Sequence, residues 1–202
     1  MSWFGLDPDS RLARDGAELP APFSCANSAL RGAVAFGTVS TVAYGIWAFG
    51  LLPYGLGMYA AIAVVYLGLG GLALAGLVAG RGVFPRVTAL FAAAFLAYAV
   101  VWCVFWFGLR GKHHADLWGA AVGLALMTLI IRRVFGANGS GLAAWAVLFA
   151  YHTLGYTLGD ELHAAVRGPV GRLLWGAAHG VGFGAGLGWL LAAVQRRERA
   201  QT

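Results

Sequence analysis

Long apolar runs divided by short polar connections dominate this chain. From Gly32 to Gly80 there is no Asp, Glu, Lys, Arg or His. No water-soluble fold of this length needs such a run, whereas a bilayer-spanning helix takes about 20 apolar residues. Six stretches of that kind follow one another: Ala33–Leu52, Leu56–Ala79, Val87–Gly108, Ala115–Ile131, Leu142–Leu158 and Leu173–Val194. The fourth and fifth are short for a span. The connections carry turn and breaker residues: Leu-Pro-Tyr-Gly at 52–55, Arg-Gly-Val-Phe-Pro-Arg at 81–86, Arg-Gly-Lys at 110–112 and Gly-Ala-Asn-Gly-Ser-Gly at 136–141. In lipid the backbone must satisfy its own hydrogen bonds, so such stretches predict helices. The expected fold is therefore all-α: a polytopic membrane bundle of six transmembrane helices over residues 27–195. Tails of residues 1–26 and 196–202 flank it.

Composition agrees. Apolar residues make up 60% of the chain and charged ones 11%, against about 25% charged in a soluble domain. The net charge of +6 is scattered over short connections and forms no basic stripe, which argues against nucleic acid as a partner. It sets topology instead. Arg11, Arg14, Arg31, Arg81, Arg86, Arg132, Arg133, Arg196, Arg197 and Arg199 fall on one side, and only Arg110, Lys112, Arg167 and Arg172 on the other. Positive-inside places both termini in the cytoplasm of a cell with the chain in its inner or plasma membrane, and an even number of spans agrees, since it leaves both ends on one side. The first 24 residues do not read as a signal peptide. Asp7, Asp9, Asp15 and Glu18 mix their charge and Pro8, Pro20 and Pro22 interrupt them. Cys25 and Cys103, the only cysteines, lie too far apart in this topology to suggest a disulfide.

Ionisable groups inside a membrane are functional candidates by default. His152 and His179, in the fifth and sixth stretches, qualify. Two histidines on neighbouring helices suit a proton relay, a carboxylate site or haem ligation, and equally a hydrogen bond to a bundle carbonyl. His113, His114 and Asp116, with Glu161 and His163, read as solvated loop groups rather than a metal site. Ser140 lies in a connection and the helices bearing it and His179 are consecutive, which argues against a serine protease. No phosphate-binding loop or paired-cysteine motif is present, so neither an enzyme activity nor a cofactor is expected. The alternating glycines at 180, 182, 184, 186 and 188 let helix backbones approach closely, through tight packing or through contact with a permeant.

Several motifs occur in a familiar order. Asn27-Ser-Ala-Leu-Arg-Gly32, followed by Phe36-Gly37, resembles the opening motif of the acetate uptake transporter family, the succinate–acetate permeases. Tyr66-Leu-Gly-Leu-Gly-Gly71, Leu74-Ala-Gly-Leu77, Arg81-Gly82 and Thr88-Ala89 are similar to that family's second span and the turn after it. Trp118, Thr128 and Leu129 fit its fourth span, Leu158-Gly159-Asp160 the end of its fifth, and the glycines with Trp189 its last. Ser28 and Leu30 stand where the motif has prolines, and Arg31 replaces an apolar residue.

The resemblance implies a membrane permease or channel for acetate or another small carboxylic acid, passive or proton-coupled, assembled in the bilayer as a homohexamer with one pore per protomer. It implies a constriction at Phe36, Ala93 and Phe149, while Asn27 and the turn up to Gly32 are expected substrate contacts because a helix start suits an anion, with Arg31 adding positive charge at the cytoplasmic mouth. Tyr98 stands one turn beyond the position where the family has a pore tyrosine. His152 and His179 are candidates for proton coupling, because histidine titrates near neutral pH. Two other classes stay open on the residues alone: a haem-binding membrane subunit or oxidoreductase using His152 and His179, and a structural subunit of a membrane complex.

Overall fold

The computed structural model describes residues 4–15 and 23–199. Glu18, Pro20 and Pro22 lie outside them, as do the side chains of Arg197 and Arg199. Among the described residues the chain is helical, with no strand: α1 (Pro8–Asp15), α2 (Cys25–Ala48), α3 (Leu56–Ala75), α4 (Val83–Gly108), α5 (Ala115–Val134), α6 (Gly141–Val166) and α7 (Gly168–Arg199). The six long helices α2 to α7 pack each against its chain neighbours, and α7 closes the ring onto α2. Consecutive helices are joined by turns of a few residues, so they alternate in direction.

Five of these helices are long and apolar enough to cross a membrane: α2, α3, α4, α5 and α7. Helix α6 is as long as α4, at 26 residues. Its run of Tyr151, His152, Thr153, Tyr156 and Thr157 dilutes its hydropathy, which is why it does not join the other five. The boundaries also differ from those read off hydropathy. Helix α7 begins at Gly168, since the reversal after α6 takes only Arg167 and Gly168, both at positive φ (56° and 59°). It runs on to Arg199, through the segment expected to be a tail.

Glycine sets how close the helices come. Where α7 crosses α2, a Cβ at Gly184 would strike the carbonyl of Gly32, and one at Gly188 the carbonyl of Ser28. Against α6, a Cβ at Gly182 would lie 2.7 Å from Cα of Gly155. No side chain could stand between backbones at that spacing. Lipid offers no hydrophobic drive for helices to associate, so the dispersion gained by this approach is what holds them.

Two ends of the bundle differ. At the end where α2 begins, residues 4–15 are docked rather than free. Leu6 is fully buried, Arg11 donates from Nη2 to the carbonyl of Ala79 (3.0 Å), Arg86 donates to the carbonyl of Phe4 (2.9 Å), and Asp15 accepts from the backbone N–H of Arg81 (2.8 Å). Gln195 of α7 caps the end of α3, accepting from Ala79 N–H and donating to the carbonyl of Leu77, both at 3.0 Å. That end is closed. The opposite end, where α3, α5 and α7 begin, opens into a cavity.

Candidate functional site

One face of α4 carries Phe91, Phe95, Tyr98, Trp102 and Trp106, spaced three or four residues apart and so stacked in one stripe. Helix α7 does the same with Trp175, His179 and Phe183, α6 with His152 and Tyr156, and α2 with Phe36, Ser40, Tyr44 and Trp47. These stripes face the centre of the ring. Their rings stay in contact from the middle of the bundle to its open end.

In the middle the centre is filled. The Phe36 ring lies 5.4 Å from Tyr66, 5.7 Å from Phe91 and 5.4 Å from Phe183, centroid to centroid, within the range of favourable aromatic pairs. A π-helical turn at Tyr66–Gly70 interrupts α3 here. Such bulges are frequent at functional sites. Tyr66 is buried and its hydroxyl meets Ser40 Oγ at 2.6 Å, while Ser40 also bonds the carbonyl of Gly176 at 2.7 Å. This small network ties α2, α3 and α7 together beneath the cavity.

Above it the two membrane histidines meet. His152 Nε2 lies 3.1 Å from His179 Nε2 and 2.9 Å from the Tyr98 hydroxyl, and Tyr44 Oη lies 3.4 Å from His179 Nδ1. The rings of the two histidines are perpendicular, with centroids 4.9 Å apart. Their contact requires one Nε2 to carry a proton and the other to accept it. When the pair holds one extra proton, passing it from one Nε2 to the other exchanges imidazolium and imidazole with little movement. His152 is 3% exposed and its Nδ1 has no partner among the described residues. His179 is less buried and lines the cavity. The pair therefore joins a closed interior to a space open at one end.

That space has a volume of about 270 Å³. Five of the six ring helices line it, from Tyr44 and Trp47 on α2 to Trp175 and His179 on α7, and no Asp, Glu, Lys or Arg does.

The sequence-predicted residues fall into three groups. Tyr98, His152 and His179 come together at the cavity floor, and Phe36 lies just beyond it in the filled centre. Asn27 and Arg31 are at the other end of α2. They are exposed and bonded to one another (Arg31 Nε to Asn27 Oδ1, 2.8 Å), and the Arg31 guanidinium lies over Phe23 at 4.0 Å. Gly32 serves the crossing with Gly184. Phe36, Ala93 and Phe149 do not converge on one constriction. Ala93 is exposed because the inward stripe of α4 runs through residues 91, 95 and 98, and Phe149 is half-buried, stacked on Trp145 at 5.6 Å. His113 and His114 sit on an exposed turn, while His163 stacks on Trp175 (5.4 Å). Among the described residues no three His, Cys, Asp or Glu side chains are arranged to hold a metal ion.

No protein family, characterised protein or solved structure matches the chain. What the site can do must come from its own geometry. That geometry does not suit two axial haem ligands. An iron between two imidazoles needs their nitrogens about 4 Å apart, twice a metal–nitrogen bond of about 2 Å, and here they touch at 3.1 Å. Sequence reasoning missed Tyr44, Trp47, Tyr59, Trp102, Trp106, Tyr156 and Trp175. The aromatic stripes at three- and four-residue spacing were the available signal.

Proposed function

We propose that the chain is a six-span permease for a small carboxylic acid, with both termini cytoplasmic and His152 and His179 in the proton path. The observation that carries this reading is the cavity: it is open at one end and has at its floor the chain from His179, which lines it, to the buried His152 and Tyr98. By the positive-inside rule the open end, which bears Arg110, Lys112, Arg167 and Arg172, faces outward, and the closed end with Arg31, Arg81, Arg86, Arg132 and Arg133 faces the cytoplasm. The weaker hydropathy of α6 fits a span that turns His152 and Tyr156 to the interior. Ordered motifs similar to the acetate uptake transporters support the same class, and with it a homohexamer.

In this reading the acid enters from outside and reaches His179. Burying a free carboxylate beside uncharged walls is costly, so it travels with a proton that the histidine pair can take up or supply. Further passage requires the rings of Phe36 and Phe183 to move aside. In this reading the open cavity belongs to an outward-open form with the inner path shut, as alternating access demands.

Uptake of radiolabelled acetate into proteoliposomes, with and without an inward proton gradient, tests this. Neutral acids leak through lipid, so protein-free vesicles supply the background. We expect uptake above that background, stimulated by the gradient, and loss of the stimulation in His152→Gln and His179→Gln. Uptake equal to protein-free vesicles would refute transport. Stimulation unchanged in both variants would refute the proton path.

A further inference from the structure

We infer that the natural cargo of this cavity is a ring-bearing weak acid, an aromatic monocarboxylic acid, rather than a two-carbon acid. This inference rests on the permease reading of the same site and names its substrate class. Size is the first reason. A protein cavity of about 150 Å³ holds benzene, and this one measures about 270 Å³. Acetate would leave most of it to water against apolar walls, whereas a benzene ring with a short acid arm would fill it.

The walls are the second reason. Trp102 and Trp106 lie nearly parallel on α4, with centroids 5.2 Å apart and planes at 12°. Across the cavity stand Tyr44, Trp47 and Trp175. Glycines back these rings. A Cβ at Gly119 would lie 3.0 Å from Cα of Trp102, and one at Gly111 would lie 3.3 Å from the Trp106 ring. The walls are therefore held in place before any ligand arrives, which limits the ordering cost of binding. Flat, rigid, electron-rich surfaces reward an aromatic ring beyond the area it buries.

Polarity is the third. No charged side chain lines the cavity. At its floor the hydroxyls of Tyr66 and Tyr98 are already engaged at 2.6 and 2.9 Å, whereas Tyr44 and His179 are 3.4 Å apart, long for a hydrogen bond. That loose pair can admit a carboxyl group, which donates to His179 and accepts from Tyr44, and the Tyr156 hydroxyl and the Trp175 indole N–H, unpartnered among the described residues, line the same cavity. Aromatic walls with a few neutral polar groups and no charge select a flat apolar body carrying one acid head, bound with its proton.

Calorimetry on the full-length protein in nanodiscs, with empty nanodiscs subtracted, tests the inference using benzoate, cyclohexanecarboxylate, acetate and tetramethylammonium as probes. Benzoate should bind at least about tenfold tighter than acetate and several-fold tighter than cyclohexanecarboxylate. Its apparent affinity should fall about tenfold per pH unit between pH 6 and 8, as a site for the protonated acid requires. Trp102→Ala should erase the preference over acetate, and Trp106→Leu, a milder change, should reduce it in protein that melts like the parent. Equal or tighter binding of acetate would overturn the inference. So would tetramethylammonium binding tighter than benzoate, since aromatic boxes also take cations, or a preference unchanged in both tryptophan variants. The two readings fail separately. Acetate uptake that benzoate neither inhibits nor matches in binding leaves the permease and removes the aromatic cargo. Selective benzoate binding with no proteoliposome uptake of either acid keeps the ring site and removes the permease.

Discussion

Replacing Gly184 with alanine adds one methyl group at the crossing of α2 and α7. Its Cβ would lie 2.7 Å from Cβ of Phe36 and 2.8 Å from the carbonyl carbon of Gly32, and closer still to the Gly32 oxygen. Ordinary contacts begin near 3.4 Å, so these two carbons fall short by 0.6–0.7 Å. Neither can rotate away, so the helices must part. A gap of 0.5–1 Å forfeits roughly a quarter to a half of each dispersion contact it opens. Three further contacts ride on the same crossing: Gly188 on Ser28, Gly180 on Ser40 and Gly176 on Tyr44. Overpacking of this kind costs about 1–3 kcal/mol, and the rigidity of the opposing atoms puts Gly184→Ala near the upper end, about 3 kcal/mol. For a chain of this size that corresponds to a melting temperature lower by about 6–12 °C. Gly45→Ala is the control, because on α2, the other helix of this crossing, the nearest atom to its new methyl is the Phe49 ring at 4.0 Å. It should be neutral, or stabilising by up to about 1 kcal/mol through helix propensity. Thermal unfolding in mild detergent reads both variants. If Gly184→Ala melted with the parent, or Gly45→Ala fell as far as Gly184→Ala, close backbone approach would not be what holds this bundle.

Two other substitutions probe the buried polar groups. Ser40→Ala leaves the Tyr66 hydroxyl buried without its 2.6 Å partner and should cost about 1–3 kcal/mol; in a double-mutant cycle with Tyr66→Phe the two losses should be less than additive, and full additivity in the melting data would show that the pair is not coupled. Gln195→Leu strips the end of α3 of its bonds at Ala79 N–H and the Leu77 carbonyl, at about 2–3 kcal/mol, and amide exchange at residues 77–79 should quicken well before the rest of the bundle, a pattern that uniform exchange would contradict.

Much of the frame was legible in the chain. Apolar runs of span length, glycines and the sided arginines follow directly from what lipid demands of a backbone and of charge, and they locate the long helices but not their ends, since α2 begins at Cys25 rather than Ala33 and α6 runs on to Val166 rather than Leu158. Helix faces were harder to read. In a chain this apolar, hydropathy no longer distinguishes an inward position from an outward one, and so Ala93 and Phe149 were chosen by motif register although one is exposed and the other packs outside the cavity. The membrane histidines could be picked out because an ionisable group in lipid is rare on any face. Their partners could not, since tyrosine and tryptophan are as common on lipid-facing surfaces as inside.

Local physical rules operating on single segments therefore determined the helices, their number within one and the unevenness of charge between the ends. Only the tertiary structure decided that α7 closes the ring against α2, because that depends on glycines far apart in the sequence meeting backbone to backbone, as Gly32 and Gly184 do. Closing the ring is what turns the aromatic stripes of separate helices toward one axis. It also brings His152 and His179 to 3.1 Å, making two isolated candidates a single proton-sharing pair at the floor of a cavity.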